Sequence, residues 1–161
     1  LGTGSGAVAL ACKSARPEIA MCGVDISEDA LHCARLNAEQ LDLDVDWRCG
    51  RWFESVRGED WDLVVSNPPY IADADAHLSK GDLPAEPRTA LVSGTTGLEA
   101  LQEIIGLTPN ALKPGGWLLL EHGCDQASSV SGMLKDGGFC NVSTRADWSG
   151  QPRITGGQWA D

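Results

Sequence analysis

Basic clusters are what this chain most lacks. Twelve Lys and Arg stand against 23 Asp and Glu in 161 residues, a formal net charge of −11, and no Lys/Arg cluster exceeds two residues. Duplex binding draws much of its affinity from neutralised phosphates, so this balance opposes nucleic acid as a partner unless a basic partner or a further segment assists. Plain solubility accounts for the charge otherwise. Long apolar runs are missing too, which excludes a membrane segment. The run Ala7 to Cys12 is short and lacks the basic flank of a leader. Six cysteines, at 12, 22, 33, 49, 124 and 140, form no Cys-x-x-Cys pair and have no histidine pair beside them. No metal site or disulfide framework is expected from that spacing. Reduced, mostly buried thiols and a cytoplasmic location are the expectation. The hydrophobic content of 42% is ordinary for one soluble domain with a real core.

The single tyrosine, Tyr70, closes the run Ser66-Asn67-Pro68-Pro69-Tyr70, which directly follows the apolar segment Trp61 to Val65. Open α/β sheets carry their chemistry at that end of a strand. Two consecutive prolines lock φ and remove two backbone donors, so the carbonyls of Asn67 and Pro68 face outward with no N–H nearby to compete for them. Tyr70 adds a flat face beside this preset acceptor pair. The combination suits a planar group bearing NH2, and amides and amino-purines both fit.

Glycines cluster in Leu1-Gly2-Thr3-Gly4-Ser5-Gly6, ahead of Ala7 to Cys12. Such a turn lets backbone approach a ligand closely, although many α/β proteins use one only to pass from strand to helix. Asp25 follows the run Ile19 to Val24, roughly twenty residues on, where an acid can take a ribose diol. Glycines at 2, 4 and 6 do not make the dinucleotide pattern, which points away from a nicotinamide cofactor. S-adenosyl-L-methionine is the natural candidate.

Strand and helix signals alternate along the chain. A helix is expected over 5–14, a strand over 19–25, and a helix capped by Ser27 with Leu31, Ala34, Ala38 and Leu41 on its apolar face. Strands follow at 45–49 and 61–66, the latter apolar enough for burial on both faces. Residues 67–95 read as a long functional loop. A helix marked by Leu98, Leu101, Ile104, Ile105 and Leu112 breaks before Pro109, and Lys113 to Gly116 turn into a strand over 117–121. A helix over 125–135 and an antiparallel pair, 139–145 and 153–159, complete the pattern.

The Gly-rich turn and Asn67-Pro68-Pro69-Tyr70 together make the chain resemble class I S-adenosylmethionine-dependent methyltransferases, and more narrowly the protein-(glutamine-N5) methyltransferases that act on peptide chain release factors. The likeness also rests on Val24-Asp25, Trp52-Phe53, Glu86-Pro87 with Ala90-Leu91, Leu120-Glu121-His122-Gly123, and Asp147 through Gly150 to Arg153. The tetrad alone is shared with adenine-N6 DNA methyltransferases; the other elements single out the glutamine enzymes. The resemblance implies an α/β, Rossmann-like sheet of seven strands with helices on both faces. It implies further that residues 1–161 are the catalytic domain, N-terminally truncated, with the first strand and a helical substrate-recognition domain absent.

By the same resemblance, the reaction would transfer methyl to the side-chain amide of the glutamine in a release factor's Gly-Gly-Gln motif. Gly2, Gly4 and Gly6 would face the methionine portion of the cofactor, Asp25 the ribose hydroxyls and Trp52 the adenine. Thr3, Ile26, Arg51 and Asn67 would also lie on the cofactor side. Asn67 and the Pro68 carbonyl would accept the two amide hydrogens, Pro69 would stiffen the turn, and Tyr70 would pack on the amide plane. An amide nitrogen is a poor nucleophile because its lone pair is delocalised, and acceptors aimed out of plane favour its reactive, pyramidal form.

Arg51 departs from the family pattern, which carries an acid there toward the adenine amino group. A guanidinium cannot accept that bond, so it stacks on the ring or the contact is lost. Gly156-Gly157-Gln158 repeats the release-factor target motif and reads as coincidence, a glutamine buried in the last strand. His122, Trp47, Trp117, Trp148 and Trp159 read as structural, and Asp147 and Arg153 as a pair across the closing turn. Two other readings stay open: methylation of a ribosomal-protein glutamine or of adenine N6, and a catalytically silent cofactor-binding fragment.

Overall fold

The computed structural model describes residues 1–79, 81 and 87–160; of the elements named above, Glu86 lies outside them. The chain divides into two units, Leu1–Glu59 and Asp60–Asp161.

In the first unit, helix α1 (Ala7–Ala15) starts at Gly6, whose φ of 82° no ordinary helical residue adopts. Strand β1 (Cys22–Asp25) is shorter than expected because Ile19 folds back in a turn, its N–H donating to the Arg16 carbonyl at 3.2 Å. Helix α2 (Glu28–Leu41) begins as anticipated: the Ser27 hydroxyl accepts from the Ala30 N–H, and Glu28 and Asp29 occupy the favourable first turn. Leu31, Ala34 and Ala38 are buried, but Leu41, in the last turn, is 59% exposed. Strand β2 (Asp46–Cys49) pairs parallel with β1 in the register Cys22 to Asp46 through Asp25 to Cys49. Ala9, Leu10, Ala38 and Val45 form the core, with Met21, Leu43 and Trp47 packed on it.

The second unit holds a mixed sheet in the order β3-β4-β6-β5. Strands β3 (Trp61–Ser66) and β4 (Leu112–Glu121) run parallel, while β6 (Pro152–Trp159) lies antiparallel between β4 and β5 (Phe139–Ala146). Lys113 to Gly116 stand out as a bulge, since Trp61 pairs with Leu112 and Leu63 already with Trp117. Strand β3 is not buried on both faces. Leu63 is 49% exposed, and only Val64 and Ser66 are buried.

Among the described residues of 67–95 stand a 3-10 turn (Ala76–Ser79), one helical turn, α3 (Arg88–Leu91), and a bridge between Ile71 and Val92. Helix α4 (Glu99–Leu107) passes into a 3-10 turn (Thr108–Asn110), and α5 spans Ala127–Asp136. Their buried faces, Leu101, Ile104 and Ile105 on one and Val130 and Leu134 on the other, follow the helical spacing of the sequence.

Six strands are described, in sets of two and four rather than in one seven-stranded sheet. Among the described residues β1 pairs only with β2 and β3 only with β4, so neither ladder continues past its other edge. Also among them, no helix is long and apolar enough to cross a membrane. The six thiols are free, but Cys33, Cys49, Cys124 and Cys140 are exposed, correcting the expectation of mostly buried cysteines. Cys33 shows why: it sits on α2 off the Leu31, Ala34, Ala38 stripe, and a small thiol is tolerated on a solvated face.

Candidate functional site

The glycine turn of the first unit is held by one carboxylate. Asp25, at the end of β1, accepts from the Gly4 N–H at 2.8 Å through Oδ2 and from the Ser27 N–H at 2.9 Å through Oδ1. The Thr3 N–H donates to the Val24 carbonyl at 3.0 Å, closing the turn on the strand. Gly2, Gly4 and Gly6 all have positive φ, at 60°, 55° and 82°. A Cβ at Gly6 would lie 2.8 Å from the Trp47 ring, whereas one at Gly4 would meet nothing within 4 Å. Gly6 is therefore demanded by packing, and Gly4 leaves open space above a backbone N–H already turned to the carboxylate. Ile26, next to Asp25, is 66% exposed.

Trp52 sits in the same unit in a left-handed conformation, φ 47°, which is strained for an aromatic residue. A Cβ at Gly2 would be 3.6 Å from its ring. Its indole Nε1 is buried and has no hydrogen-bond partner among the described residues. Burying an unpaired N–H is costly, so this donor asks for an acceptor that the described residues do not provide. The Arg51 guanidinium lies 5.6 Å from the Trp52 ring centroid, in cation–π range. The ring beneath Arg51 is thus the protein's own Trp52.

The tetrad of the second unit leaves β3 with Asn67 exposed and Pro68 fully buried. The Asn67 carboxamide makes no hydrogen bond among the described residues. Tyr70 is half-buried, and its hydroxyl donates to Glu121 Oε1 at 3.5 Å. Burial first, and then the Glu121 charge, push the phenol above its ordinary range, so it stays protonated as a donor. Beyond the tetrad the backbone is stitched down: the Ile71 N–H donates to the Leu91 carbonyl at 3.0 Å and the Ser93 N–H to the Ile71 carbonyl at 2.9 Å.

Sequence reasoning missed two partners of Tyr70, Glu121 and Gln126. Glu121 carried a signal, as the acid closing an apolar strand. Gln126, which donates to the Tyr70 carbonyl, carried none beyond standing just ahead of a helix. Among the residues read as structural, His122 is fully buried with both ring nitrogens engaged, and Trp159 packs edge-on against Phe139 at 5.3 Å. Trp148 is the exception. It stands entirely in solvent, 107% exposed, because the hairpin turn that Asp147 organises lifts it off both strands. Asp147 and Arg153 do pair, at 3.5 Å. Gln158 of the Gly-Gly-Gln run is half-buried and tied at both ends, donating to the Gly115 carbonyl and accepting from Asn141. Gly156 and Gly157 are packing glycines, with a Cβ at each meeting Leu119 at 2.4 Å and Phe139 at 2.9 Å.

Residues 1–83 match the family model described as the methyltransferase small domain. The chain is 47% identical over 159 residues to a release factor glutamine methyltransferase from Xylella fastidiosa, and 48% identical over 161 residues to one from Yersinia pestis. The alignments take in 98% and 99% of this chain but 58% of each relative, so the chain spans little more than half their length. Among solved structures, a methyltransferase from Pyrococcus furiosus aligns with a TM-score of 0.74 at 16% identity, over 99% of this chain and 73% of that one. A ribosomal protein L11 methylase from Lactobacillus delbrueckii aligns at 0.68 and 18% identity, over 98% and 65%. At such identities these two show the α/β fold of class I methyltransferases and nothing finer.

Proposed function

Because this chain belongs to the methyltransferase small domain family, we propose that it transfers a methyl group from S-adenosyl-L-methionine to the side-chain amide nitrogen of the glutamine in the Gly-Gly-Gln motif of peptide chain release factors. The observation that carries this reading is the state of the tetrad: an exposed, unengaged Asn67 carboxamide directly before a buried, φ-locked proline. Relatives named release factor glutamine methyltransferase, similar along nearly the whole chain, support it.

The residues of the first unit fit the cofactor. The unpartnered Trp52 Nε1–H offers a donor to a purine nitrogen, and the open space over Gly4 suits a close-lying tail. Asp25 accepts one N–H at each carboxylate oxygen and retains lone pairs for two ribose hydroxyls. Gly2, Thr3, Gly6, Ile26 and Arg51 complete the binding set. When bound, S-adenosyl-L-methionine supplies an electrophilic sulfonium methyl. Asn67 Oδ1 and the Pro68 carbonyl each accept one amide hydrogen, turning the nitrogen lone pair out of conjugation as positive charge grows on it. Pro69 keeps those acceptors fixed, and Tyr70, steadied by Glu121, supports the amide plane. Positioning and electrostatics carry the acceleration without a strong base: as nitrogen takes the methyl the carbon–sulfur bond would break, the sulfur would leave as a neutral thioether, and the surplus proton on nitrogen would pass to water.

For the complete protein we propose the fuller architecture: a seven-stranded sheet with helices on both faces, residues 1–161 forming its catalytic domain, and a helical domain that recognises the release factor in the cytoplasm. The length of the relatives and the single partners of β1 and β3 support it. Intact-mass spectrometry of a release factor, a ribosomal protein and a DNA oligonucleotide, each treated with the protein and cofactor, tests the substrate. One added methyl on the Gly-Gly-Gln glutamine is expected. Methylated adenine with an unmodified release factor would reverse the ranking, against the acidic balance of the chain.

A further inference from the structure

We propose that Gln126 is a positioning residue for the acceptor tetrad. Its carboxamide holds the Tyr70 carbonyl, and through the rigid prolines the carbonyls of Asn67 and Pro68, at a fixed place beside the end of β4. The inference rests on the reading of the tetrad as the amide-binding element.

The need for such a tie follows from the prolines themselves. Pro68 and Pro69 have fixed φ but no N–H, so this stretch cannot donate to a neighbouring strand and must be anchored through its carbonyls. The Tyr70 carbonyl is such an anchor point. Gln126 Nε2 donates to the Tyr70 carbonyl at 3.0 Å and to the Gly97 carbonyl at 3.3 Å, while Oε1 accepts from the Gly123 N–H at 2.9 Å. One side chain thus joins the tetrad, the loop before α4 and the turn after β4. Only a primary amide of this length offers two donors and one acceptor in that arrangement.

Two glycines are shaped around it. A Cβ at Gly97 would lie 2.5 Å from the Tyr70 carbonyl oxygen and 3.0 Å from Gln126 Nε2. One at Gly123 would lie 3.0 Å from Asp125 Oδ1 and 3.1 Å from Gln126 Oε1. The anchor continues inward. The Gly123 carbonyl accepts from His122 Nδ1 at 2.8 Å, His122 Nε2 meets the Thr155 hydroxyl at 2.7 Å, and Thr144 meets Thr155 at 2.8 Å. A carbonyl only accepts, so Nδ1 carries a proton. This string, buried at His122 and Thr155, fixes the turn on which Gln126 pulls.

Tyr70 is the one tyrosine in the chain, so protein labelled with [1-13C]tyrosine reports this carbonyl as a single resonance. Gln126→Met keeps length and helix propensity but loses every polar contact. We expect the resonance to move upfield, the dissociation constant for S-adenosyl-L-methionine to stay unchanged, and kcat for the release factor to fall about 10- to 100-fold at constant KM, the scale of a misplaced reacting group. Gln126→Glu should be equally impaired at neutral pH, where its carboxylate faces two carbonyls. It should regain turnover toward acid pH, where the protonated carboxyl can donate to Tyr70. Should Gln126→Met fail to fold, Gly97→Ala presses on the same carbonyl and must shift the same resonance. An unmoved resonance in a folded variant overturns the tie, and a moved resonance with wild-type kcat overturns the positioning role. If wild-type protein methylates no release factor, the proposed function fails, while the resonance still decides the tie.

Discussion

The glycine turn after Leu1 and the proline tetrad after β3 are held in place by opposite means. The turn has freedom and abundant donors, and an acid tames it: Asp25 captures the N–H groups of Gly4 and Ser27, while Thr3 bonds back to Val24. The tetrad is stiff by covalent geometry and poor in donors, so its anchors reach it from outside, Gln126 at the Tyr70 carbonyl and Glu121 at the phenol. The difference teaches where each region is vulnerable. A flexible, donor-rich segment depends on one acceptor close by in the fold. A rigid, donor-poor one depends on contacts distant in sequence, and its Asn67 carboxamide makes no hydrogen bond among the described residues.

The comparison breaks first at Asn67. In the Asn67→Ala variant, losing one acceptor for developing charge should cost about 10²–10³ in single-turnover rate, roughly 3–4 kcal/mol, with cofactor affinity and melting temperature near wild type. A stable variant with normal transfer would return Asn67 to a plain loop residue. Asp25→Ala should act in the opposite manner, weakening S-adenosyl-L-methionine by about 1.5–3 kcal/mol, the scale of hydrogen bonds to a charged group. It should lower the melting temperature as well, because the glycine turn loses its tie. Calorimetry and thermal melts read both, and an unchanged dissociation constant in a folded variant would sink the ribose assignment.

Tyr70→Phe sharpens the contrast at smaller scale. Its bond to Glu121 is long, at 3.5 Å, so its loss should cost about 0.5–1 kcal/mol in kcat/KM and leave cofactor binding alone. A loss as large as that of Asn67→Ala would mean the phenol itself touches the acceptor. The smallest effect concerns acid. Glu99 Oε1 accepts from the Thr96 N–H at 3.0 Å and the Thr95 hydroxyl at 3.3 Å, and these bonds, the backbone one foremost, lower its pKa from 4.5 to about 2. A depressed carboxylate contributes stability that is complete above 4.5 and is lost as pH falls through 4.5 toward 2. Denaturant melts across that window should show the loss in wild type and a flatter slope in Glu99→Gln; identical slopes would refute the contribution.

Local chemistry was legible in the sequence because its causes are local. Alternating periodicity announced the strands and helices, Ser27 announced the start of α2, and Pro68-Pro69 announced a rigid acceptor pair, since a ring locks φ whatever surrounds it. The same local logic marked Asp25 and the glycine turn as one candidate site. What the sequence could not state was which distant groups share a contact. Gln126 lies 56 residues from Tyr70, and Asp25 lies 21 from Gly4. The 49% exposure of Leu63, the solvent-facing Trp148 and the open thiols likewise depend on what packs, or fails to pack, against each face. Composition and spacing carry conformational preference, but burial and hydrogen-bond partnership are properties of the packed chain, so the tertiary structure alone decided that Asp25 braces the turn, that Asn67 makes no side-chain hydrogen bond among the described residues and that Gln126 and Glu121 both reach Tyr70.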